Sequence, residues 1–148
     1  MTAQVHDRVR LAEAEYDVLC VNGGPLFEPA AYGLRPAPMH TGCVRGYFCL
    51  YHIEVGQLML AELHIRTFDD LYPPITGTPA EQEPLGSAKV YRGLRLGISL
   101  SGSHLVGKDF DRAHYVPMGF QSPDAYRAQL RLGFEGGRLL TSSTIPPA

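Results

Sequence analysis

The stretch RGYFCLYHIEVGQLMLAELHIR, Arg45 to Arg66, contains two apolar segments on either side of Val55-Gly56. Apolar runs separated by a short glycine turn are typical of a β-hairpin. A two-residue loop at Val55-Gly56 places Glu54 opposite Gln57. A three-residue loop that includes Glu54 is the alternative, because β-branched valine disfavours positive φ and Gly56 could then form a bulge. A bulge further along the strands would reconcile the two registers.

The two-residue loop divides the hairpin into an apolar face and a polar face, since side chains alternate along a strand. The face predicted to be core carries Val44, Phe48, Leu50, His52, Met59, Ala61, Leu63 and Ile65. The opposite face carries Arg45, Tyr47, Cys49, Tyr51, Ile53, Leu58, Leu60, Glu62, His64 and Arg66. We prefer this register because it places the charged side chains together, away from the predicted core.

Three chemically capable side chains share the polar face in this register: Cys49 lies opposite Glu62, and His64 is diagonal to it. Directly opposed Cβ atoms are ~4.5–5.5 Å apart and diagonal ones ~7–8 Å. A thiol, a carboxylate and an imidazole at these distances could act as nucleophile, orienting group and base, or as zinc ligands with His40, Cys43 or water. A nearly flat pair of strands, however, lacks the pocket that lowers a catalytic cysteine's pKa. These catalytic candidates therefore rank behind a solvated or interfacial face, and no metal and no cofactor is predicted.

The polar face is also rich in tyrosine and arginine, which are enriched at protein interfaces. The predicted binding residues are Arg45, Tyr47, Tyr51 and Arg66, together with Tyr72 in the segment that follows the hairpin. The structural alternative is that another sheet or the following loop covers this face.

The composition is that of a folded chain with little charge for attracting polyanions. The 148 residues are 45% hydrophobic and 19% charged, and the formal net charge is −2. One domain is expected at this length, and the absence of a basic field argues against nucleic acid as a partner. The 3 cysteines show no CxxC spacing, so no disulfide framework is expected. No signal peptide and no apolar run of ~18 residues is evident, so we expect a cytoplasmic protein without a membrane partner.

The rest of the chain consists of short apolar segments separated by glycine and proline. Further hairpins are predicted at Asn22-Gly23 (DVLCV with PLFE), at Ser101-Gly102 and at Gly136-Gly137, and further strands at 88–91 and 114–118. In the Gly136-Gly137 hairpin, Glu135 would face Arg138. Ser122-Pro123-Asp124 predicts the start of a helix of one or two turns, and residues 9–14 a strand or a short helix. The fold class predicted is mainly β, a single-domain antiparallel β-barrel or β-sandwich with at most one short helix.

Residues 66–88 form a long connection with little periodicity, and Pro73, Pro74, Pro79 and Pro84 exclude a helix there. Irregular connections of this length are often lids, binding loops or mobile surface segments. Residues 1–15 and 142–148 are predicted to be loose termini of the domain that spans residues 1–148.

Three segments resemble a set of uncharacterised small bacterial proteins of the kind found in actinobacteria: TGCVRGY (Thr41 to Tyr47), YRGL (Tyr91 to Leu94) and MGFQSPDAYR (Met118 to Arg127). The resemblance extends from about Asp17 to Leu140. It implies a bacterial protein of unknown function and carries no assigned catalytic residue to this chain.

These observations lead to three functional hypotheses. The first is a non-enzymatic β-domain that binds another protein, or a second copy of itself as a homodimer, through the tyrosine- and arginine-rich face. The second is a small β-barrel that binds an apolar small molecule beneath the 66–88 loop. The third is an enzyme or a metal site that uses Cys49, Glu62 and His64.

Overall fold

The computed structural model describes residues 3–23, 26–83 and 88–145. The strands are β1 (Arg8–Leu11), β2 (Ala14–Asn22), β3 (Tyr47–Glu54), β4 (Gln57–Ile65), β5 (Glu81–Gln82), β6 (Lys89–Tyr91), β7 (Leu96–Gly97), β8 (Gly102–Phe110), β9 (Tyr126–Glu135) and β10 (Arg138–Ile145). They form one 10-stranded sheet in the order β10-β9-β8-β2-β1-β3-β4-β6-β5, with β7 paired to β4. The mainly β prediction is confirmed, although the sheet is mixed because β1 and β3 run parallel.

The described ranges contain helix only as short 3-10 segments, at Pro29–Tyr32, Arg112–His114 and Pro123–Ala125. The last of these begins where the sequence predicts it, since the Ser122 hydroxyl accepts a hydrogen bond from the Asp124 N–H at 3.3 Å. Among the residues described, no helix is long and apolar enough to cross a membrane.

The hairpin of β3 and β4 turns at Val55-Gly56, as the preferred register requires. Val55 has φ 50° and Gly56 has φ 76°, and Glu54 pairs with Gln57. Between the pairs Tyr51–Leu60 and Leu50–Glu62 the register shifts by one residue. This shift leaves Ala61 as a β-bulge, and from there on the predicted partners are wrong. Cys49, for example, pairs with Leu63 and not with Glu62.

Because of the bulge, several side chains of the hairpin lie on the face opposite to the one predicted. Cys49 and Tyr51, predicted to lie on the polar face, are core residues, each only 1% exposed, whereas Phe48 and Leu50 are half-buried on the outer face. In β4 the buried positions change phase at the bulge and are Leu58, Leu60, Leu63 and Ile65. The prediction was correct for Leu63 and Ile65, and wrong for Leu58 and Leu60. A bulge inserts one extra residue, so every side chain beyond it faces the opposite way.

The N-terminal segment, predicted to be loose up to residue 15, is part of the sheet. β1 pairs antiparallel with β2 and parallel with β3, and Arg8 faces both Asp17 and Leu50. The prediction of a loose C-terminus is also wrong for residues 142–145, because β10 extends to Ile145. The remaining terminal residues, 1–2 and 146–148, lie outside the described ranges.

The sheet curls so that β10, at one end, meets β4. The predicted hairpin at Gly136-Gly137 is confirmed, with Glu135 opposite Arg138. Arg138 also pairs with Gln57, and the Leu58 N–H donates to the Gly137 carbonyl at 2.8 Å. One buried cluster fills the inside of the curl, with side chains from most strands: Val9, Tyr16, Val18, Cys49, Tyr51, Leu58, Leu60, Leu63, Ile65, Tyr91, Val106, Leu132 and Phe134.

Two predicted hairpins do not form. β2 pairs with β8, so that Asn22 faces Ser103, and 26–28 contains no strand. Residues 24 and 25, between Asn22-Gly23 and the rest of the predicted partner strand, lie outside the described residues. At Ser101-Gly102 the flanking segments also separate, since β7 pairs with β4 while β8 pairs with β2 and β9. A Cβ on Gly102 would overlap the Asn22 carbonyl oxygen, so glycine here permits a close approach of two backbones and not a hairpin turn.

The 114–118 segment is not a strand, since His114 ends the 3-10 helix Arg112–His114 and residues 115–118 form an exposed loop. The 66–88 connection is partly ordered: Ile75 is fully buried, Thr67 bridges to Pro36, and β5 pairs with β6. Residues 84–87 of this connection lie outside the described ranges.

Candidate ligand-binding cleft

The candidate site is a cleft between β2 and β3, next to the start of β1. β1 separates the two strands from Arg8 onward. Before Arg8, residues 18–22 of β2 and 47–49 of β3 pair only with β8 and β4, respectively, within the described chain. We call this opening the β2–β3 cleft. It contains two adjoining pockets that share Asp7, Val21 and Arg45.

Asp7 closes the narrow end of the cleft. Its backbone carbonyl accepts the Val18 N–H at 2.8 Å, and its Oδ1 accepts the Cys49 N–H at 2.8 Å. The same oxygen is 2.6 Å from Nη2 of Arg45. A half-buried carboxylate thus replaces the strand pairing that β1 would otherwise provide between β2 and β3.

Arg45 is fixed from three sides. Besides pairing with Asp7, its Nε donates to the Tyr47 carbonyl at 3.0 Å, and its guanidinium lies 4.2 Å from the centre of the Tyr47 ring. Partial burial acts to lower the pKa of Arg45, but the charge and the hydrogen bond of Asp7, together with Tyr47 and Cys49, outweigh it and the pKa is raised. Arg45 is therefore a permanently charged, preorganised wall of the cleft.

The first pocket has a volume of about 240 Å³ and extends inward to the buried Tyr51. Its remaining walls are apolar or charged side chains: Asp7, Val21, Leu26, Phe27, Glu28, Arg45 and Tyr47. Burial raises the pKa of both Tyr47 and Tyr51, so their hydroxyls stay protonated and can donate hydrogen bonds.

The second pocket, of about 170 Å³, runs along the backbone of β2. Its lining includes four consecutive residues of that strand, Val18, Leu19, Cys20 and Val21. Consecutive strand residues point to opposite faces, and the register with β8 shifts between Val18 and Cys20, so a pocket lined by all four residues follows the edge of β2 at this irregularity. The sheet is therefore open to a ligand along β2 beyond Val18, whose N–H and carbonyl are bonded to Asp7 and His6.

His6 and Phe120 form the opposite wall of the second pocket. The His6 Nδ1 lies 3.1 Å from the Val18 carbonyl, and its Nε2 accepts the Gln121 N–H at 3.2 Å. Because one ring nitrogen accepts, the other must carry the proton and donate to Val18, which defines a neutral tautomer. The Phe120 ring packs 5.0 Å from His6.

An apolar loop extends this wall into solvent. Four of its large side chains are at least 38% exposed: Tyr115, Val116, Met118 and Phe120. The side-chain amide of Gln121 holds the loop closed, accepting from the Val116 N–H at 2.9 Å and donating to its carbonyl at 2.8 Å. The loop is thus an ordered apolar surface next to the cleft.

Three of the five predicted binding residues, Arg45, Tyr47 and Tyr51, line the first pocket. The other two lie elsewhere: Arg66 donates to the Pro38 carbonyl at 2.9 Å, and the Tyr72 hydroxyl accepts the Thr67 N–H at 3.2 Å. The flat docking face predicted on the hairpin is replaced by a cleft, because Tyr51 points inward.

The structure does not bring the catalytic candidates together. Cys49 is buried on the inner face, where burial strongly raises the pKa of its thiol. Glu62 and His64 do meet on the outer face, with Nε2 of His64 2.7 Å from Glu62 and its Nδ1 2.5 Å from Glu83. With both ring nitrogens engaged, His64 has no free lone pair for a metal, and the described residues include no group that could hold one.

Sequence reasoning missed the residues that complete the cleft: His6, Asp7, Val21, Glu28 and Phe120. The parallel pairing of β1 with β3 brings His6 and Asp7 to Arg45, and the bridge between Ala3 and Gly119 brings Phe120 to His6. A hairpin pattern gives no signal for contacts between segments so far apart in the chain. The hypothesis of a lid at 66–88 does not apply to this cleft, since neither pocket is lined by that connection.

A wider depression of about 520 Å³ lies at the end of β8, lined by Asp109, Phe110, Asp111, Arg112 and Arg127. Its charged side chains partly neutralise each other, with Arg127 3.7 Å from Asp111. It is shallower and more solvated than the β2–β3 cleft, which is the better candidate for specific binding.

Comparison of the chain with protein-family models, curated proteins and solved structures gives no match. The resemblance to uncharacterised bacterial proteins therefore stays a prediction.

Proposed function

We propose that this chain is a non-enzymatic protein-binding module that takes an extended segment of a partner protein into the β2–β3 cleft. The observation that carries this proposal is the open edge of β2 beyond Val18, where Leu19, Cys20 and Val21 line one continuous pocket. Exposed strand edges bind extended peptides through backbone hydrogen bonds, with neighbouring pockets accepting alternate side chains. The two adjoining pockets of the cleft would accept the alternate side chains of such a peptide.

The side chains of the cleft are suited to recognition more than to catalysis. Asp7 and Arg45 neutralise each other, and both nitrogens of His6 are engaged with the backbone. The two tyrosine hydroxyls stay protonated because burial raises their pKa. These groups can donate hydrogen bonds and present a fixed surface, but none is poised to take a proton from a substrate.

The shape of the cleft favours a protruding segment as the occupant. The β2 edge lies between two strands of the same sheet, so two copies of this chain would not reach each other's β2 edge directly. An extended loop or tail of another protein meets no such obstacle. The exposed apolar loop at 115–120 adds contact area beside the cleft for such a partner.

A peptide selection tests this proposal. The full chain is immobilised and used to select binders from a random dodecapeptide library, and the affinities of the selected peptides are measured by fluorescence anisotropy. Val21→Phe places a larger side chain into both pockets, so we expect it to weaken binding at least about tenfold, which is ~1.4 kcal/mol.

The matched control is Leu139→Phe, an equally apolar enlargement at a half-buried position of β10, outside the cleft. It should leave the affinity unchanged, and circular dichroism should show both variants folded. Selected peptides that bind the Val21→Phe variant as well as they bind the wild type would refute the proposal, as would a library that yields no binder.

A further inference from the structure

We infer that the partner segment carries a basic side chain, lysine or arginine, which pairs with Glu28 at the mouth of the first pocket. The inference rests on the proposed binding of an extended segment and specifies its chemistry. Glu28 is the charged group of the cleft that the fold leaves unused. Asp7 and Arg45, the other two, are only 2.6 Å apart and satisfy each other.

The fold gives the Glu28 carboxylate no partner. Its side chain is exposed, and it makes no ion pair or hydrogen bond within the described part of the chain. It stands before the 3-10 helix Pro29–Tyr32 but does not cap it. Its backbone is nevertheless held in place, because the neighbouring Phe27 is buried and stacks on Tyr32 at 5.4 Å.

The surroundings of Glu28 in the first pocket suit a long basic side chain better than an acidic one. Its aliphatic stem can pack on the apolar wall formed by Val21 and Leu26, while its charged end reaches Glu28. With Arg45 neutralised by Asp7, the lining of the first pocket has a net negative charge. An acidic side chain there would face Glu28 without compensation.

The expected preference is modest because Glu28 is exposed to solvent. Exposed ion pairs contribute little to binding, so a lysine peptide should bind about two- to fivefold more tightly than its glutamate analogue. Since the Debye length falls to ~3 Å at 1 M salt, the preference should shrink as salt is added.

The test uses three peptides that differ at one position: acetyl-Thr-Val-Lys-Val-Thr-amide and its Gln and Glu analogues. Each is titrated into the ¹⁵N-labelled full chain, and dissociation constants are taken from the amide shifts of Val21 and Tyr47. We expect the affinity order Lys, Gln, Glu in the wild type and equal affinities in Glu28→Gln. The control Glu13→Gln makes the same charge change at the exposed β1–β2 turn and should keep the wild-type order.

The outcomes separate this inference from the function on which it rests. Equal binding of the three peptides to the wild type would overturn the basic-residue inference and leave strand binding in place. The basic-residue inference would also be overturned if the affinity order persisted in Glu28→Gln, or if Glu13→Gln abolished the affinity order as well. If no peptide shifts the amides of β2, the proposed function is contradicted and the inference falls with it.

Discussion

His104 lies in the middle of the core with 0% exposure, and neither ring nitrogen has a hydrogen-bond partner in the described chain. Its ring packs against Phe134 at 5.1 Å. Burial penalises the charged imidazolium and lowers the pKa of His104 from 6.5 to about 4. Between these two pH values the unfolded chain binds the proton and the folded chain does not. Acid therefore destabilises the fold through this residue.

We expect the free energy of unfolding to fall as the pH drops from 7 to 5, with His104 contributing about 2 kcal/mol of the loss. His104→Leu replaces the imidazole with an apolar side chain of similar size, so this part of the pH dependence should vanish. Urea unfolding of both proteins at pH 7 and pH 5 measures the difference. If the free energy of unfolding falls by the same amount in the wild type and the variant, His104 is not the group responsible for the acid destabilisation.

Val55 occupies the first position of the β3–β4 turn with φ 50°, a conformation that β-branched residues disfavour, and it is 93% exposed. Asn-Gly is the preferred sequence for such a turn. Val55→Asn should therefore raise the free energy of unfolding by about 0.5–1 kcal/mol, since it relieves strain without removing a buried contact. Urea denaturation at pH 7 checks this value, and an unchanged or lower stability would mean that the turn is not strained.

Along the β3–β4 hairpin, the sequence predicts the turn but not the side of the sheet that each residue faces. Val55-Gly56 sets the register near the turn, because glycine and a short loop leave few choices. β3 has apolar side chains on both faces, so alternation alone could not select Cys49 and Tyr51 over Phe48 and Leu50. A signal for the bulge exists in β4, where the apolar positions change from even (Leu58, Leu60) to odd (Leu63, Ile65) numbers around Ala61.

The Gly136-Gly137 turn offers a direct comparison of two glycines with positive φ. At Gly137 a Cβ would overlap the carbonyl oxygen of Ile98, whereas at Gly136 it would meet nothing within 4 Å. Both alanine substitutions strain the backbone, but only at Gly137 would the added Cβ also collide with the 98–100 segment, to which the Gly137 N–H donates.

We therefore expect Gly137→Ala to destabilise the protein by at least about 2 kcal/mol more than Gly136→Ala does. Thermal unfolding followed by circular dichroism measures both variants side by side. Equal losses would indicate that the contact between the Gly137 turn and the 98–100 segment does not hold the sheet closed.

Across the molecule, the parallel pairing of β1 with β3 decides both the shape of the sheet and the location of the cleft. The mainly β class follows from the spacing of apolar residues and turns, and three of the five predicted binding residues do line the cleft. The cleft itself could not be predicted. It depends on contacts such as Asp7 with Arg45 and the Cys49 N–H, which join distant segments and leave no periodic pattern in the sequence.

The most direct test of the binding account is amide hydrogen exchange of the full chain, free and saturated with a selected dodecapeptide. A segment that pairs with the open edge of β2 should slow exchange about tenfold or more within residues 19–22, with a smaller effect at 47–49 and none in the 66–83 connection. Unchanged exchange in β2, with protection confined to other strands or to the 66–83 connection, would contradict the proposed binding at the β2 edge.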